Sequence, residues 1–522
     1  MSPILSTFGA ASVRSFGGIG ALTGGQEFFS EIYRDGSSTV GKSNAIDDGG
    51  VFAKSANKLF RGTNIYNLNG NSKADPVIIR MDNNGVIDKY CSVNVSGTGV
   101  SSNLDEQTCQ AILPISDDEV LQCLRVRVGN ADPWYYTMNN TFAIQKVDVQ
   151  NQAVDSHIVF WWQDTSNYTS VFHFSGAVRT GTDNNFFLFT IRQQSTVWNV
   201  IVKISDSGSL TWNYVFRTAG SPSVMDAGGI ATDGTYLYVS HAGSSASPQG
   251  SYLSVFDGSG SSLSLISSRA STNNTTGGQN TITVDADNDL AYIVDGSNDG
   301  YVTQYDISTP SSPSVNWRRK LQYNTNKWIG RSAVPDGKGN VIIVSRYTWG
   351  SFSYGASVIW GLNGSDGTNT FINGYKTEDG WQYGRGNNMP YSSRRRSESL
   401  AVVGDAIYLP YWVRQYASNQ AHNTGGSLVV PIDGSGVSSS YMNVGGAHYY
   451  NTFSTLSGYS PTNTSQTVQS LTSATLQIYT VGAGASIFKN SAENTGTDTV
   501  ANFIGQSSLG SITQTRVALP GI

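Results

Sequence analysis

Two kinds of turn alternate along this chain, and that alternation limits what it can fold into more than any other feature. The first kind precedes a run rich in Tyr, Val, Ile or Phe. It occurs at Asn57 in SANKLF, Asp117 in SDDEVLQCL, Asp183 in GTDNNFFLF and Asp233 in ATDGTYLYV. It returns at Asp287 in VDADNDLAYIV, Asp336 in VPDGKGNVIIV and Asp405 in VVGDAIYLPY, seven occurrences in all. The second kind follows 19 to 31 residues later and ends another apolar run: Asp82, Asp148, Asp206, Asp257, Asp306, Asn363 and Asp433. Asx residues bond their own backbone and Gly accepts positive φ, so both kinds suit tight turns.

Successive turns of the first kind stand 60, 66, 50, 54, 49 and 69 residues apart. Between them lie short alternating runs such as TYLYVSHA and NVIIVSRY, and long stretches of helical periodicity are almost absent. Such runs read as strands. A four-stranded antiparallel blade takes about 40 to 50 residues before insertions. The period therefore predicts an all-β chain with a seven-bladed β-propeller over residues 48–443. Radial stacking would bury faces that one small sheet cannot bury alone and would leave only short edges. A β-sandwich array is not expected to repeat the same two turns seven times.

The ends fall outside the period. Residues 1–47 form an extended Gly-rich N-terminal arm, and 444–522 a small, nearly uncharged, β-rich C-terminal extension without a further turn pair. One end is expected to complete the last blade, since the ring would otherwise have a seam.

Composition narrows the function. Charged residues are only 13% and the formal charge is −5, so neither nucleic acid nor an anionic membrane is expected as a partner. No run approaches the roughly 20 apolar residues of a membrane span. Aromatics reach 11%, which argues against disorder. Cys91, Cys109 and Cys123 are odd in number and form no CxxC pair, so free thiols are expected, with one bridge as the alternative. His157, His173, His241, His422 and His448 form no close pair, and no metal or cofactor is expected.

Asp285, Asp287 and Asp289 resemble the start of a calcium loop, but Leu290 and Gly296 hold the positions of its Gly and Glu. A plain turn is expected there. SDSGSLTW, Ser205 to Trp212, resembles both a sialidase Asp box and a quinoprotein repeat. The resemblance covers one blade, supports the propeller class, and leaves Trp212 as a packing residue. No opposed carboxylate pair and no G-x-S-x-G elbow stands out. The expectation is a protein that is not an enzyme.

The longest insertion, Tyr375 to Ser399, combines Trp381, Tyr383, Arg385 and Tyr391 with Arg394, Arg395 and Arg396. Tyr, Trp and Arg are the types enriched at binding hot spots. Trp381, Tyr383, Arg385, Tyr391 and Arg395 are therefore the candidates for contact with a partner or a glycan. YWVRQYASNQAHNTGG, from Tyr411, is a second candidate; Trp134 to Tyr136 with Trp161 and Trp162 is a third.

The lead segment ILSTFGAASVRSFGGIGALTGG is neither a secretory signal nor a dinucleotide loop. Arg14 interrupts its apolar stretch, and Gly18-Ile19-Gly20 lacks the following Gly and the βαβ context. Within it, FGAASVRSFG resembles a short segment near the start of tail and other virion proteins of bacteriophages, especially marine and cyanobacterial ones. The low-charge, Asn/Thr/Ser/Gly-rich composition fits that resemblance. Residues 1–25 read as an assembly arm, with Phe8, Arg14 and Phe16 docking into a neighbouring subunit. The resemblance implies a structural virion component, tail-associated as a fibre, tip, nozzle or baseplate protein, serving assembly and host attachment. Its partners would be other virion proteins and copies of itself. The alternatives are a lectin-like propeller recognising host glycans, a head-decoration protein, and a propeller glycan hydrolase or lyase.

Overall fold

In the computed structural model the described residues are 28–34, 51–66, 74–97, 104–128, 140–162, 171–193, 196–218, 225–243, 250–271, 280–294, 300–323, 328–349, 354–377, 400–417, 420–431, 442–444, 448–452, 461–468, 471–480, 488–490, 499–504 and 512–518. They are all β, with no helix among them, and they form seven antiparallel sheets. Six sheets begin with four consecutive strands. Sheet I runs from Val51–Lys54 to Ile87–Gly97, sheet II from Leu104–Pro114 to Ala153–Trp162, and sheet III from Val171–Arg179 to Leu210–Thr218. Sheet IV runs from Met225–Thr232 to Ser264–Ser271, sheet V from Thr281–Asp285 to Ser314–Tyr323, and sheet VI from Trp328–Pro335 to Asn369–Thr377.

Sheet VII is different. Ala401–Val403, Ala406–Ala417 and Gln420–Pro431 are consecutive, but its fourth strand is Phe28–Arg34 from the other end of the chain. Phe28 pairs with Val429 and Ile32 with Gly425. The sequence expectation that one end completes the last sheet is met here, by a strand from within the segment read as an arm.

Both turn types of the sequence repeat fall at one end of the sheets. The first kind joins the first and second strands; the second kind joins the third and fourth. The Asp433 turn lies outside the described residues. The fourth strand of every sheet from I to VI carries a β-bulge just after the second turn, for example where Lys203 faces Trp212 and Ile204 faces Leu210. A bulge adds local twist and re-aims the next side chain.

The larger apolar clusters lie between sheets; a small one, Tyr252 with Ala270, lies within sheet IV. One large cluster joins sheets I and II, the next II and III, and so on to V and VI; another joins sheet I with Ala401 to Tyr408 of sheet VII. Strands covered on both faces read as continuous apolar runs instead of alternating ones. Phe186, Phe187, Leu188 and Phe189 are accordingly all buried.

The C-terminal segment is not a unit standing beside these sheets. His448–Thr452 pairs with the fourth strand of sheet VI, Pro461–Ser465 with that of V, and Leu471–Ser473 with that of IV. Leu476–Thr480 pairs with sheet III, Phe488–Asn490 with II, Thr499–Ile504 with I, and Ile512–Ala518 with Phe28–Arg34 of VII. The chain thus revisits every sheet in reverse order and adds one outer strand to each. In sheet VI a second strand, Met442–Val444, lies outside the first.

Candidate functional site

The geometry separates two ends. At the turn end, sheets II to V each reach to the next through one repeated position, the first residue after the fourth-strand bulge. Ser156 of sheet II donates to the Ser207 carbonyl of sheet III at 2.8 Å. Trp212 Nε1 of sheet III donates to the Gly260 carbonyl of IV at 3.2 Å. Ser267 of IV donates to the Pro310 carbonyl of V at 2.6 Å, and Trp317 Nε1 of V to the Gly364 carbonyl of VI at 2.9 Å. In every case the acceptor belongs to the neighbour's second-type turn.

Residues across the bulge reinforce the link. Lys203, opposite Trp212, donates to the carbonyls of Gly258, Ser259 and Gly260 at 3.1, 3.1 and 3.2 Å. Its ammonium also lies 5.7 Å from the Phe186 ring centroid and 5.9 Å from that of Trp212. Burial lowers its pKa. Gln304, opposite Trp317, donates to the same Gly364 carbonyl at 2.6 Å. Between sheets I and II the link centres on Arg80, which bonds Asp118 and Gln150 of sheet II at 2.6 Å each and is held by Asp88 of its own sheet at 2.9 Å. Asp117 accepts from Ser55 Oγ at 2.7 Å and from the Asn57 amide at 2.9 Å.

Trp212 is the packing residue expected from sequence, 8% exposed. Its structural counterparts were missed. The second-type turn differs in length from sheet to sheet, so Trp317 stands farther from its turn Asp than Trp212 does. The bulge, not the residue count from the turn, sets the register.

Buried polar groups mark the seams. His241 is fully buried between sheets III and IV, edge-on to Phe216 with ring centroids 5.4 Å apart. Among the described residues neither ring nitrogen has a hydrogen-bond partner, and burial pushes its pKa down to about 3. Asn280 donates to the His241 carbonyl at 3.1 Å, and its own carbonyl fills the space where Gly228 lacks a side chain. Arg61 is fully buried over the Phe52 ring, and burial lowers it to about 10. Cys91, Cys109 and Cys123 are buried and not joined in a disulfide, and burial pushes Cys91 up to about 12. Asp285 is buried, and its Oδ2 accepts from Asn288 Nδ2 at 2.8 Å, as in a turn. No cluster of three metal-ligating side chains occurs among the described residues.

At the opposite end, the connections between second and third strands, and between successive sheets, lie outside the described residues. The first set of contact candidates, Trp381, Tyr383, Arg385, Tyr391 and Arg395, belongs to 378–399, which follows sheet VI in the chain and lies outside the described residues. Phe8, Arg14 and Phe16 also lie outside the described residues, as do Trp134 to Tyr136. The second candidate is different. Tyr411 to Gly426 is not a loop but the outer part of a long hairpin, Ala406–Ala417 against Gln420–Pro431. Trp161 and Trp162 are strand residues opposite Lys489 and Phe488.

No protein-family model matches the chain, and no curated protein matches it. A solved structure from Bacteroides fragilis, described as a "putative 6-phosphogluconolactonase", aligns with 74% of this chain and 95% of its own at 11% identity and a TM-score of 0.37. That description names an enzyme, and the expectation that this chain is not one is withdrawn on that account. A likeness of this size assigns the chain no activity, substrate or residue.

Proposed function

We propose that the seven sheets are the blades of a seven-bladed β-propeller, and that the protein is a structural component of a tailed-bacteriophage virion, carried in the tail and serving assembly and host attachment. The observation that carries this reading is the C-terminal segment, which adds a strand to every sheet in turn. Each outer edge is thereby paired, and opening any one sheet means peeling a segment tied to its neighbours as well. Such a construction suits a particle part that must persist outside a cell. The FGAASVRSFG segment and the low-charge composition support the same reading. In it, residues 1–25 anchor the protein to another virion protein, while the end opposite the turns faces outward.

Immunogold electron microscopy of intact particles, with antibody against residues 51–443, tests it. Label at the tail is expected. Label over the head would move the protein to capsid decoration, and particles without label would overturn the reading.

A further inference from the structure

The first strand of sheet V, Thr281–Asp285, lines up three polar side chains on one face. Its register with Leu290–Val294 sets Thr281 opposite Val294, Thr283 opposite Tyr292 and Asp285 opposite Leu290. Residues paired across strands share a face. Val294 and Tyr292 belong to the apolar cluster between sheets V and VI, and Leu290 packs against it, so Thr281, Thr283 and Asp285 face sheet VI. The residues between them, Ile282 and Val284, belong to the cluster shared with sheet IV.

The row is deeply buried: Thr281 and Thr283 are 2% exposed and Asp285 1%. Among the described residues neither threonine hydroxyl has a hydrogen-bond partner. Other polar groups of the same seam do have partners. Gln304 donates to the Tyr292 hydroxyl at 3.0 Å and to the Gly364 carbonyl at 2.6 Å, and Trp360 Nε1 donates to Ser345 Oγ at 3.2 Å. Asp285 Oδ2 accepts from Asn288 at 2.8 Å. A buried hydroxyl gives up its bonds to solvent on folding, and native interiors rarely leave that loss uncompensated. The first strand of sheet VI brings only the small side chain of Ala333 to this cluster. The other edge of Thr281–Asp285 pairs with no strand among the described residues, which adds backbone donors and acceptors beside the row.

We infer that this row binds ordered water, one molecule between Thr281 and Thr283 and a second between Thr283 and Asp285. Alternate strand residues stand about 6.6 Å apart, at about 3.3 Å per residue. Two hydrogen bonds of about 2.8 Å through one water span up to about 5.6 Å, and rotation of the side chains toward each other closes the remainder. Each water then has two side-chain partners and reaches the two to four it needs through the strand's free edge. The second water donates to the Asp285 carboxylate and keeps its charge solvated inside the seam. A calcium ion would need six to eight oxygens, more than these three side chains supply.

Thr281→Val and Thr283→Val, made in the full chain, test the inference by the sign of their effect. Valine keeps the shape of threonine and removes only the hydroxyl. Each variant should melt about 1 to 3 °C below the parent, because a bound water loses a partner. The double variant should lose less than the sum of the two, because the first water is shared. A hydroxyl that is buried dry predicts the reverse, since valine then removes an unsatisfied group and raises the melting temperature. A crystal structure of the full chain should show a peak within about 3 Å of both threonine hydroxyls. A raised or unchanged melting temperature in both variants, strictly additive losses, no peak in the seam, or a peak ringed by six or more oxygens as for a cation would each overturn the inference.

Discussion

The two ends of the sheets are built on opposite principles. At the turn end, the connections are short, their Asp and Asn residues cap their own backbones, and their carbonyls receive donors from the neighbouring sheet. Asp336 accepts from the amides of Lys338 and Asn340 at 2.6 and 2.9 Å, and Asp233 does the same for Thr235 and Tyr236 at 2.7 Å each. At the other end lie the long connections, including 378–399 with its aromatic and arginine residues. A scaffold that ties one end of its sheets together leaves the other end able to vary in length and composition. The turn end holds the sheets in register; the opposite end is where binding is proposed.

This contrast can be broken experimentally, and the largest effect belongs to the turn end. Trp317→Ala removes a nearly buried indole and its bond to Gly364, and should cost about 3 to 5 kcal/mol, read as a lowered denaturation midpoint. Trp317→Phe keeps most of the packing and should cost only about 1 kcal/mol, the worth of the lost hydrogen bond. A smaller loss for the alanine variant than for the phenylalanine variant would mean that the link is not structural.

Gly364→Ala attacks the same link from the acceptor side. Its Cβ would stand 1.6 Å from the Gly339 carbonyl oxygen, so the two turns of sheet VI must separate. A destabilisation of about 1 to 3 kcal/mol is expected, and an unchanged melting temperature would refute the close approach.

Acid sharpens the comparison at a seam. The imidazole of folded His241 is held at about 3, whereas the unfolded chain takes up a proton near the ordinary 6.5. The unfolded state therefore binds more protons below 6.5, and stability falls as pH drops from there toward 3. Between pH 6.5 and 5 the loss from this one group is about 2 kcal/mol. A His241→Phe variant should lose that part of the slope, and parallel stability curves for the two proteins over this interval would contradict the assignment. Asp206 acts later. Burial raises it, but Arg179 and Asn185 outweigh that and hold it below the ordinary carboxylate range, so its contribution disappears only in stronger acid.

The smallest effect is expected at the opposite end. Trp381→Ala and Arg385→Ala should move stability by no more than about 0.5 kcal/mol. A large loss at either position would mean that 378–399 is part of the core and not a contact segment.

Sequence determined the sheet repeat because its signal is local. An Asx turn is specified by the few residues that form it, so fourteen of them could be read without knowing any partner. The same holds for the all-β class, since strand runs and missing helical periodicity are local as well. The donors to the turns were not legible. Ser156, Trp212, Ser267 and Trp317 share a place only because each follows a bulge, and turns of unequal length hide that equivalence in a residue count. The C-terminal strands were hidden for a stronger reason. Leu471–Ser473 is three residues long and meets Arg269 to Ser271 two hundred residues away. So short a segment carries no period of its own. The sheet edge it finds supplies its hydrogen bonds, and that edge exists only once the sheets have formed. The tertiary structure alone decided that the end of the chain returns to every sheet, and that the strand closing the last one comes from its beginning.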